Sequence, residues 1–589
     1  MRRSPVWQVW MAMRAQGREL TGAAVLGFIA SASAVALLGT SGWLIATAAG
    51  APPVLTLTVA AVMVRAFALF RAIFRYAERL AGHDAAFRGL AGLRVSVYRQ
   101  LERLAPGGLV NFGRGDLLRR LVTDVDSAVD LPLRVVLPWL QAALVVAGAL
   151  VFFWWLLPVL AAFMAAVGLM ALTLVPWLIS RLTLRAQERL TPVRAELSAA
   201  MVNGFSAVAD LNALGASDRA LGRLATIDAE LTMHGRREAF GLGLAGALMT
   251  VVQGAAVVGA ICLVTPAVSS GRLDAVWLAV AALLPIAVFD VLATLPASAI
   301  AFQRVRAGAV RIAALSGMPT PVDEPSSPRA IPEGFQGLDL LDLHASWTND
   351  VHGDLVSIQL SIHQGEHVFL VGPSGAGKST LAMVLMGFLP YTGSALINGV
   401  EIADSDHDQL RERVGLLAQR AHIFDTTIQE NVTLGRRALA EDVVSAAIGG
   451  AQLDTMVARL PHGAETSVGA FGSAISGGEA QRIALARLIV EPRPLVILDE
   501  PTEHLDLGTA DSVEGVLREQ LASFTTLTIT HALLGIPDEA RVIEMQEGRI
   551  TAEGACRDLQ VGPGWFAQQW QAQREIALVA SDRSLFRSK

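Results

Sequence analysis

The chain has 589 residues, 53% of them hydrophobic and only 17% charged, with a mean hydropathy of +0.47. That balance excludes an all-soluble chain, and two cysteines without a compositional repeat exclude collagen-like, disordered and disulfide-framework classes. Net charge is −6, yet residues 1–320 carry 28 Lys/Arg against 17 Asp/Glu while residues 321–589 carry 19 against 36. An apolar, basic front and an acidic, ordinary back read as a membrane half joined to a soluble half. Cys262 and Cys556 stand far apart, without CxxC or metal-ligand spacing, and read as idle thiols.

The N-terminal stretch MRRSPVWQVWMAMRAQGREL has neither a signal-peptide apolar region nor a small-residue cleavage site. It predicts a basic amphipathic segment lying on the inner membrane surface. No charge interrupts Leu20–Val64, Val135–Ser180 or Ala239–Gly271, and Asp290 alone breaks Ala275–Gln303. A spanning helix needs about 20 apolar residues, so the first two stretches hold two spans each, giving six helices. Gly50-Ala51-Pro52-Pro53 turns the first pair, Pro158 the second, and Ser269-Ser270-Gly271-Arg272 joins spans five and six. Arg272 is the one arginine in these short turns, whereas residues 71–134 and 181–238 hold most of the rest. By the positive-inside rule the long segments and both termini are cytoplasmic, and helices two to five are expected to run well past the bilayer. Arg65 and Asp290 fall inside apparent spans, where an ionisable group usually faces a bundle interior or a watery cavity. Together with Trp43 they are the candidates for a substrate pathway.

Gly317–Gln336 is rich in Pro, Ser and acids and reads as a linker. The run VFLVGPSGAGKSTLAMVL then gives strand, glycine-rich turn and helix. Gly372, Pro373, Ser374, Gly375, Ala376, Gly377, Lys378 and Ser379, followed by Thr380, match the G-x-x-x-x-G-K-[ST] phosphate loop. Its glycines let backbone N–H groups close around phosphates, and the helix N-terminus adds positive potential. Lys378 is one of two lysines in the chain, the other being Lys589. Arginine does every other cationic task, but this position keeps a compact point charge suited to a β/γ-phosphate. Some 120 residues later, Leu495-Val496-Ile497-Leu498 is a buried-strand run ending in Asp499-Glu500. One carboxylate there can hold Mg2+ and the next can activate an attacking water. Between these lies Ile475-Ser476-Gly477-Gly478-Glu479, a serine and paired glycines opening a helix.

With these motifs in this order the soluble half resembles the ABC ATPases, whose signature is LSGGQ or LSGGE. The resemblance implies that Ser476, Gly477, Gly478 and Glu479 face the γ-phosphate bound to a partner subunit. It makes Gln419 the Q-loop glutamine, which also touches the metal, His531 the switch histidine, and Asp506 the D-loop aspartate. Trp347 takes the adenine-stacking aromatic position. Lys378 and Ser379 then bind phosphate and Mg2+, Asp499 holds the metal, and Glu500 polarises water. Departures from the pattern are Ile475 for leucine, tryptophan where tyrosine is more usual, and Ala470 where exporters often carry glutamate.

Six spans followed by one ATPase is similar to half of an ABC exporter, and implies an α-helical membrane domain of the type I exporter kind fused to an α/β P-loop domain. The expected organisation is a membrane domain at 1–316, a linker at 317–336, a nucleotide-binding domain at 337–556 and a tail at 557–589. Gly115-Asp116-Leu117-Leu118-Arg119-Arg120-Leu121 and Asp124-Val125-Asp126 resemble the exporter region leading into the first coupling helix. The stretch Arg75-Tyr76-Ala77-Glu78-Arg79-Leu80-Ala81-Gly82-His83-Asp84-Ala85-Ala86-Phe87-Arg88 resembles RYxERLxxHDAxFR of the CydC family. CydC is one half of the heterodimeric CydDC exporters, and Ser41-Gly42-Trp43-Leu44 agrees with it. This likeness implies a CydD-like partner and ATP-driven export of cysteine or glutathione across the cytoplasmic membrane of a bacterium. It also implies support of cytochrome bd assembly, and haem b with His83 as iron ligand. On a helix Arg79 and Tyr76 share the His83 face, with Arg75 beside them to pair propionates. The implied cofactors are ATP, Mg2+ and haem, and the partners are membrane lipids and a small thiol, with no nucleic acid. Two other readings stay open, a haem transporter or haem-binding assembly ATPase, and a homodimeric lipid, drug or peptide exporter.

Overall fold

A computed structural model describes residues 4–13, 17–110, 112–347, 354–419, 421–434, 439–469, 474–503 and 507–585. It separates into two compact units, Met1–Arg103 with Asn111–Met318, and Leu104–Val110 with Pro319–Lys589.

In the first unit six helices among the described residues are long and apolar enough to cross a membrane. They are Gly17–Ala49, Val54–Leu104, Gly115–Leu156, Pro158–Leu178, Ser217–Ser269 and Val276–Ser316. The breaks fall where the sequence supplies turn chemistry, at residues 50–53, at Leu157-Pro158 and at 270–275. At about 1.5 Å per residue, the 51-residue second helix and the 53-residue fifth far exceed the hydrocarbon thickness of about 30 Å. Their charged ends therefore extend into water. Spans three to six close on small residues (Ala142, Ala149, Ala256, Ala260 and Ala281 among them), which let helix backbones approach. The apolar window of the second span, by contrast, has none of its residues buried.

The motif at Gly115–Leu121 becomes an ion network. Asp116 accepts from Arg119 at 2.6 Å and from Arg120 at 2.7 Å. Buried Asp124 accepts two bonds of 2.7 Å from Arg311 near the end of the sixth helix. A buried carboxylate is tolerable only when paired in this way. The N-terminal helix Pro5–Met13 departs from expectation. Val9 and Met13 are buried among Leu90, Leu93, Val97, Val305 and Ala309, so protein and not lipid covers its apolar side.

The second unit has two sheets. Strands β1 (Gly337–Ala345), β2 (Leu355–His363), β4 (Tyr391–Ile397) and β5 (Val400–Glu401) form an antiparallel sheet in the order β2-β1-β4-β5. The other sheet contains β3 (His367–Val371), β6 (Val414–Leu417), β7 (Leu495–Asp499), β8 (Thr525–Ile529), β9 (Arg541–Gln546) and β10 (Arg549–Ala555). Its order is β10-β9-β3-β8-β7-β6, parallel except for β10. Every residue of β7 and β8 is buried, as continuous apolar runs in a parallel sheet require. Two segments read as linker and tail carry structure of their own. Ile331 and Phe335 enter the ATPase core, and Trp565–Leu585 is a helix whose Phe566 is buried.

Candidate active site

Strands β3, β8 and β7 lie side by side and parallel, so their C-terminal ends open on one crevice, the place where open α/β sheets bind ligands. The phosphate loop leaves β3, Asp499 and Glu500 end β7, and His531 follows β8. Residues more than 150 positions apart in sequence are thereby brought into one site.

The loop conformation depends on glycine at two points. Gly372 has φ +151° and Gly377 φ +98°; a Cβ on the first would sit 2.0 Å from the Met545 carbonyl oxygen, and on the second 2.5 Å from that of Asp354. No side chain fits either place. The helix Lys378–Leu385 starts directly afterwards. Buried Lys378 folds back over the loop, its Nζ donating to the carbonyls of Gly372 at 2.8 Å and Pro373 at 2.9 Å. Burial holds its pKa below the ordinary lysine value, against the opposing pull of Glu500 and Asp499. Trp347 reaches the same helix, its indole Nε1 donating to Thr380 Oγ1 at 3.2 Å.

Ser379 Oγ donates to Asp499 Oδ2 at 3.1 Å. A hydroxyl and a carboxylate meeting at the phosphate end of the loop suit Mg2+, which takes one or two protein oxygens and completes its shell with water and phosphates. No group of three or more His, Cys, Asp or Glu that could hold a metal occurs among the described residues. Burial raises the Asp499 pKa, while the Ser379 hydrogen bond and Lys378 oppose that shift. Glu500 is pushed up to about 7, by burial first and then by repulsion from Glu503 and Asp499. A carboxylate poised there is matched to general-base work near neutral pH. His531 Nε2 stands 3.0 Å from Glu500 Oε1. Burial and Lys378 keep the imidazole pKa low, so the neutral ring serves this contact.

Gln419 donates to Glu503 Oε2 at 2.6 Å, which connects it to the group that raises the Glu500 pKa. Ser476 caps the signature helix Gly477–Ile489 by a capping box with Glu479, two orphan groups satisfying each other. Asp506 and Ala470 lie outside the described residues.

Sequence reasoning missed Gln481. This residue is buried on the signature helix, and its Nε2 donates to the carbonyls of Glu500 at 3.0 Å and Pro501 at 3.3 Å. Glu500 has φ +52°, an unfavourable backbone for a non-glycine residue, and the amide holds the chain in it. A signal was present, since Gln481, Ala484, Leu485 and Leu488 form one buried helical stripe with a single polar member.

In the membrane unit, Arg75, Arg79 and His83 line a polar cavity of about 480 Å3 together with Glu78, Asp130 and Arg134. His83 Nδ1 lies 2.8 Å from the Arg79 carbonyl oxygen, which fixes the proton there and leaves Nε2 as the lone-pair nitrogen. Tyr76 is exposed and does not line this cavity. Arg65 and Asp290 are exposed on their helices. Trp43 lines a separate apolar cavity of about 410 Å3 with Phe28, Phe152 and Trp277.

Two sequence-family descriptions match the two units, "ABC transporter transmembrane region" over residues 20–288 and "ABC transporter" over 355–503. The glutathione/L-cysteine transport system ATP-binding/permease protein CydC of Escherichia coli is 30% identical over 92% of this chain and 95% of its own length. The chain belongs to the CydC/CydD family of ABC transporters. The corresponding CydD protein of Bacillus subtilis is also 30% identical, over 91% of this chain and 93% of its own. Among solved structures, an Atm1-family bacterial ABC exporter with ATP bound superposes with a TM-score of 0.83 at 23% identity. It covers 94% of this chain and 98% of the other, and establishes the ABC exporter fold. As a CydC/CydD family member the protein is an ATPase whose hydrolysis is coupled to transport across a membrane. It is multi-pass, and in bacteria such a protein resides in the inner membrane.

Proposed function

We propose that this chain is one half of a heterodimeric exporter, pairing with a CydD-like chain to move cysteine- or glutathione-type thiols out of the bacterial cytoplasm. Near-full-length likeness to two relatives named for glutathione/L-cysteine transport carries the reading. The unburied second span supports pairing, since a helix with no buried residue in its apolar window has a face left for lipid or a second half-transporter. The ATPase, both termini and the long helix extensions lie on the cytoplasmic side, as the arginine distribution requires.

In this reading ATP enters against Trp347 and displaces Lys378 Nζ from the loop carbonyls onto its phosphates. Ser379 and Asp499, with Gln419, would hold Mg2+, which would supply charge neutralisation for the transferred phosphoryl group. Glu500 takes the proton of the attacking water, and His531 keeps that carboxylate oriented. Ser476, Gly477, Gly478 and Glu479 serve the partner's nucleotide, with Asp506 beside them. Closure of the two ATPase domains opens the membrane helices outward, and hydrolysis resets them. Arg65, Asp290 and Trp43 contribute to the substrate path.

The donors of the polar cavity are compatible with haem b, with His83 Nε2 for the iron and Arg75 and Arg79 for the propionates, while Arg134 is already paired with Asp130 at 3.1 Å. Bound there, haem would supply a redox-active iron, in keeping with support of cytochrome bd assembly. The second reading is a haem transporter or a haem-binding assembly ATPase, either of which this cavity would serve.

The deciding experiment is ATP-dependent uptake of labelled cysteine into inverted vesicles containing this chain and its partner, with Glu500→Gln as control. Uptake lost in the variant supports thiol export, and normal ATPase without uptake rejects it in favour of haem transport or assembly. Retention of a full Soret band by His83→Ala in the co-purified complex would remove the haem assignment.

A further inference from the structure

The helix Trp565–Leu585 follows the last strand of the ATPase and carries none of its motifs, yet it reaches the backbone of the loop that carries His531. Its first turn is anchored firmly. Phe566 is buried with Val371, Leu533 and Val542, so the helix packs both on the end of the strand that feeds the phosphate loop and on the loop that carries His531. The Phe566 N–H donates to Glu544 Oε2 at 3.0 Å, a carboxylate buried to 2% exposure. Two turns further along, the Gln573 amide closes on the switch loop from both sides. Its Nε2 donates to the His531 carbonyl at 2.7 Å and its Oε1 accepts from the Leu533 N–H at 2.9 Å.

That arrangement brackets the loop. Within it, the Ala532 N–H donates to Thr530 Oγ1 at 3.0 Å, so both ends of the four-residue turn are tied to fixed partners. What remains for His531 is side-chain rotation about a held backbone, with Nε2 3.0 Å from Glu500 Oε1. A loop leaving a parallel strand has no ladder to continue its hydrogen bonding; here a side-chain amide supplies the missing donor and acceptor. Gln481 supplies a donor alone to the backbone of Glu500 and Pro501.

We infer that Gln573 is a positioning residue for ATP hydrolysis, acting from the C-terminal helix on the backbone of His531 and through it on Glu500. It touches neither nucleotide nor metal. The inference rests on the assignment of Glu500 and His531 to hydrolysis, which Glu500→Gln and His531→Ala test separately.

The experiment uses the full-length chain co-purified with its partner half-transporter. ATP affinity is measured with a fluorescent ATP analogue, and hydrolysis by single-turnover assay with radiolabelled ATP. Gln573→Leu keeps the volume and removes both hydrogen bonds. Turnover is expected to fall about tenfold, as for a small displacement of a catalytic group, with ATP affinity unchanged. Gln573→Glu keeps the acceptor for Leu533 N–H and loses the donor to His531, and lowers turnover in the same direction. In a His531→Ala background the Leu substitution has no further effect, because the group it positions is gone. The proposal is overturned if Gln573→Leu leaves turnover unchanged. An equal fall in both backgrounds, or a fall in ATP affinity alone, overturns it as well. Should the Leu variant fail to assemble, the Glu variant decides by the same criteria. Unimpaired hydrolysis by Glu500→Gln would instead point to failure of the underlying assignment.

Discussion

The membrane unit and the ATPase unit treat ionisable groups in opposite ways. In the ATPase, Lys378, Asp499, Glu500 and His531 converge on the ends of three adjacent parallel strands, the first three largely buried and His531 partly exposed, and shift one another's proton affinities. In the membrane unit, the charged groups gather at the ends of long helices in ion networks such as Asp124 with Arg311, and Arg65 and Asp290 stand exposed within the spans. The contrast teaches where each function is encoded. A phosphate site draws its chemical groups from short motifs that the sheet brings together, whereas a path through helices has no local motif and is assembled from residues scattered along them.

The sharpest test of that contrast is Glu500→Gln, which is expected to lower hydrolysis by about 100- to 10,000-fold while ATP still binds. Single-turnover rates against nucleotide affinity would read it; unchanged turnover would place catalysis in the other composite site. Its effect on stability has a definite sign. The folded domain favours the protonated carboxyl, so this contribution is complete below the ordinary value of 4.5 and is lost as pH rises through about 7. The Gln variant should therefore raise the melting temperature of the nucleotide-free protein more at pH 8 than at pH 5.

Lys378→Ala should weaken ATP binding by about 100-fold, the scale of truncating one member of a buried charge pair. Lys378→Arg should fail almost as badly, because a planar fork has no room where Nζ now sits between the Gly372 and Pro373 carbonyls. Nucleotide titration distinguishes these, and normal affinity in the Arg variant would show that charge alone suffices.

In wild-type protein, hydrolysis should fall about tenfold per unit as pH drops below the Glu500 pKa of about 7. A rate flat from pH 8 to 5.5 would rule out a carboxylate base of that pKa.

The smallest effects belong to the membrane unit. Arg65→Ala and Asp290→Ala should leave basal ATPase within about twofold and reduce the stimulation by substrate. If both variants transport and respond normally, neither residue lines the path, and the contrast between the units loses its functional side.

Much of this was legible beforehand, for identifiable reasons. The six spans follow from uninterrupted apolar runs, and their breaks from Pro and Gly at residues 50–53 and 158 and the polar turn at 269–272, because hydrocarbon leaves the backbone few alternatives. The phosphate loop, the Asp499-Glu500 pair and the signature were readable because each is a short run whose local conformation does the chemistry. Other features were hidden. The N-terminal helix looked like a surface segment because nothing in its own residues names Leu90 or Val305 as the cover for Val9 and Met13. Residues 329–336 looked like linker because two buried apolar residues, Ile331 and Phe335, are too few to create a periodic signal.

The sequence by itself determined the phosphate-loop and Asp499-Glu500 motifs, the six runs long and apolar enough to cross a membrane, and the family. Composition and local backbone geometry are properties of neighbouring residues. Only the tertiary structure decided how that machinery is held. The strained backbone of Glu500 depends on Gln481, nineteen residues earlier, and the switch loop is bracketed by Gln573, forty-two residues after His531. A helical stripe can flag a glutamine as the polar member of a buried face, as for Gln481, but does not say what its amide will meet. Its role arises when folding sets it opposite a carbonyl or N–H that would otherwise go unpaired.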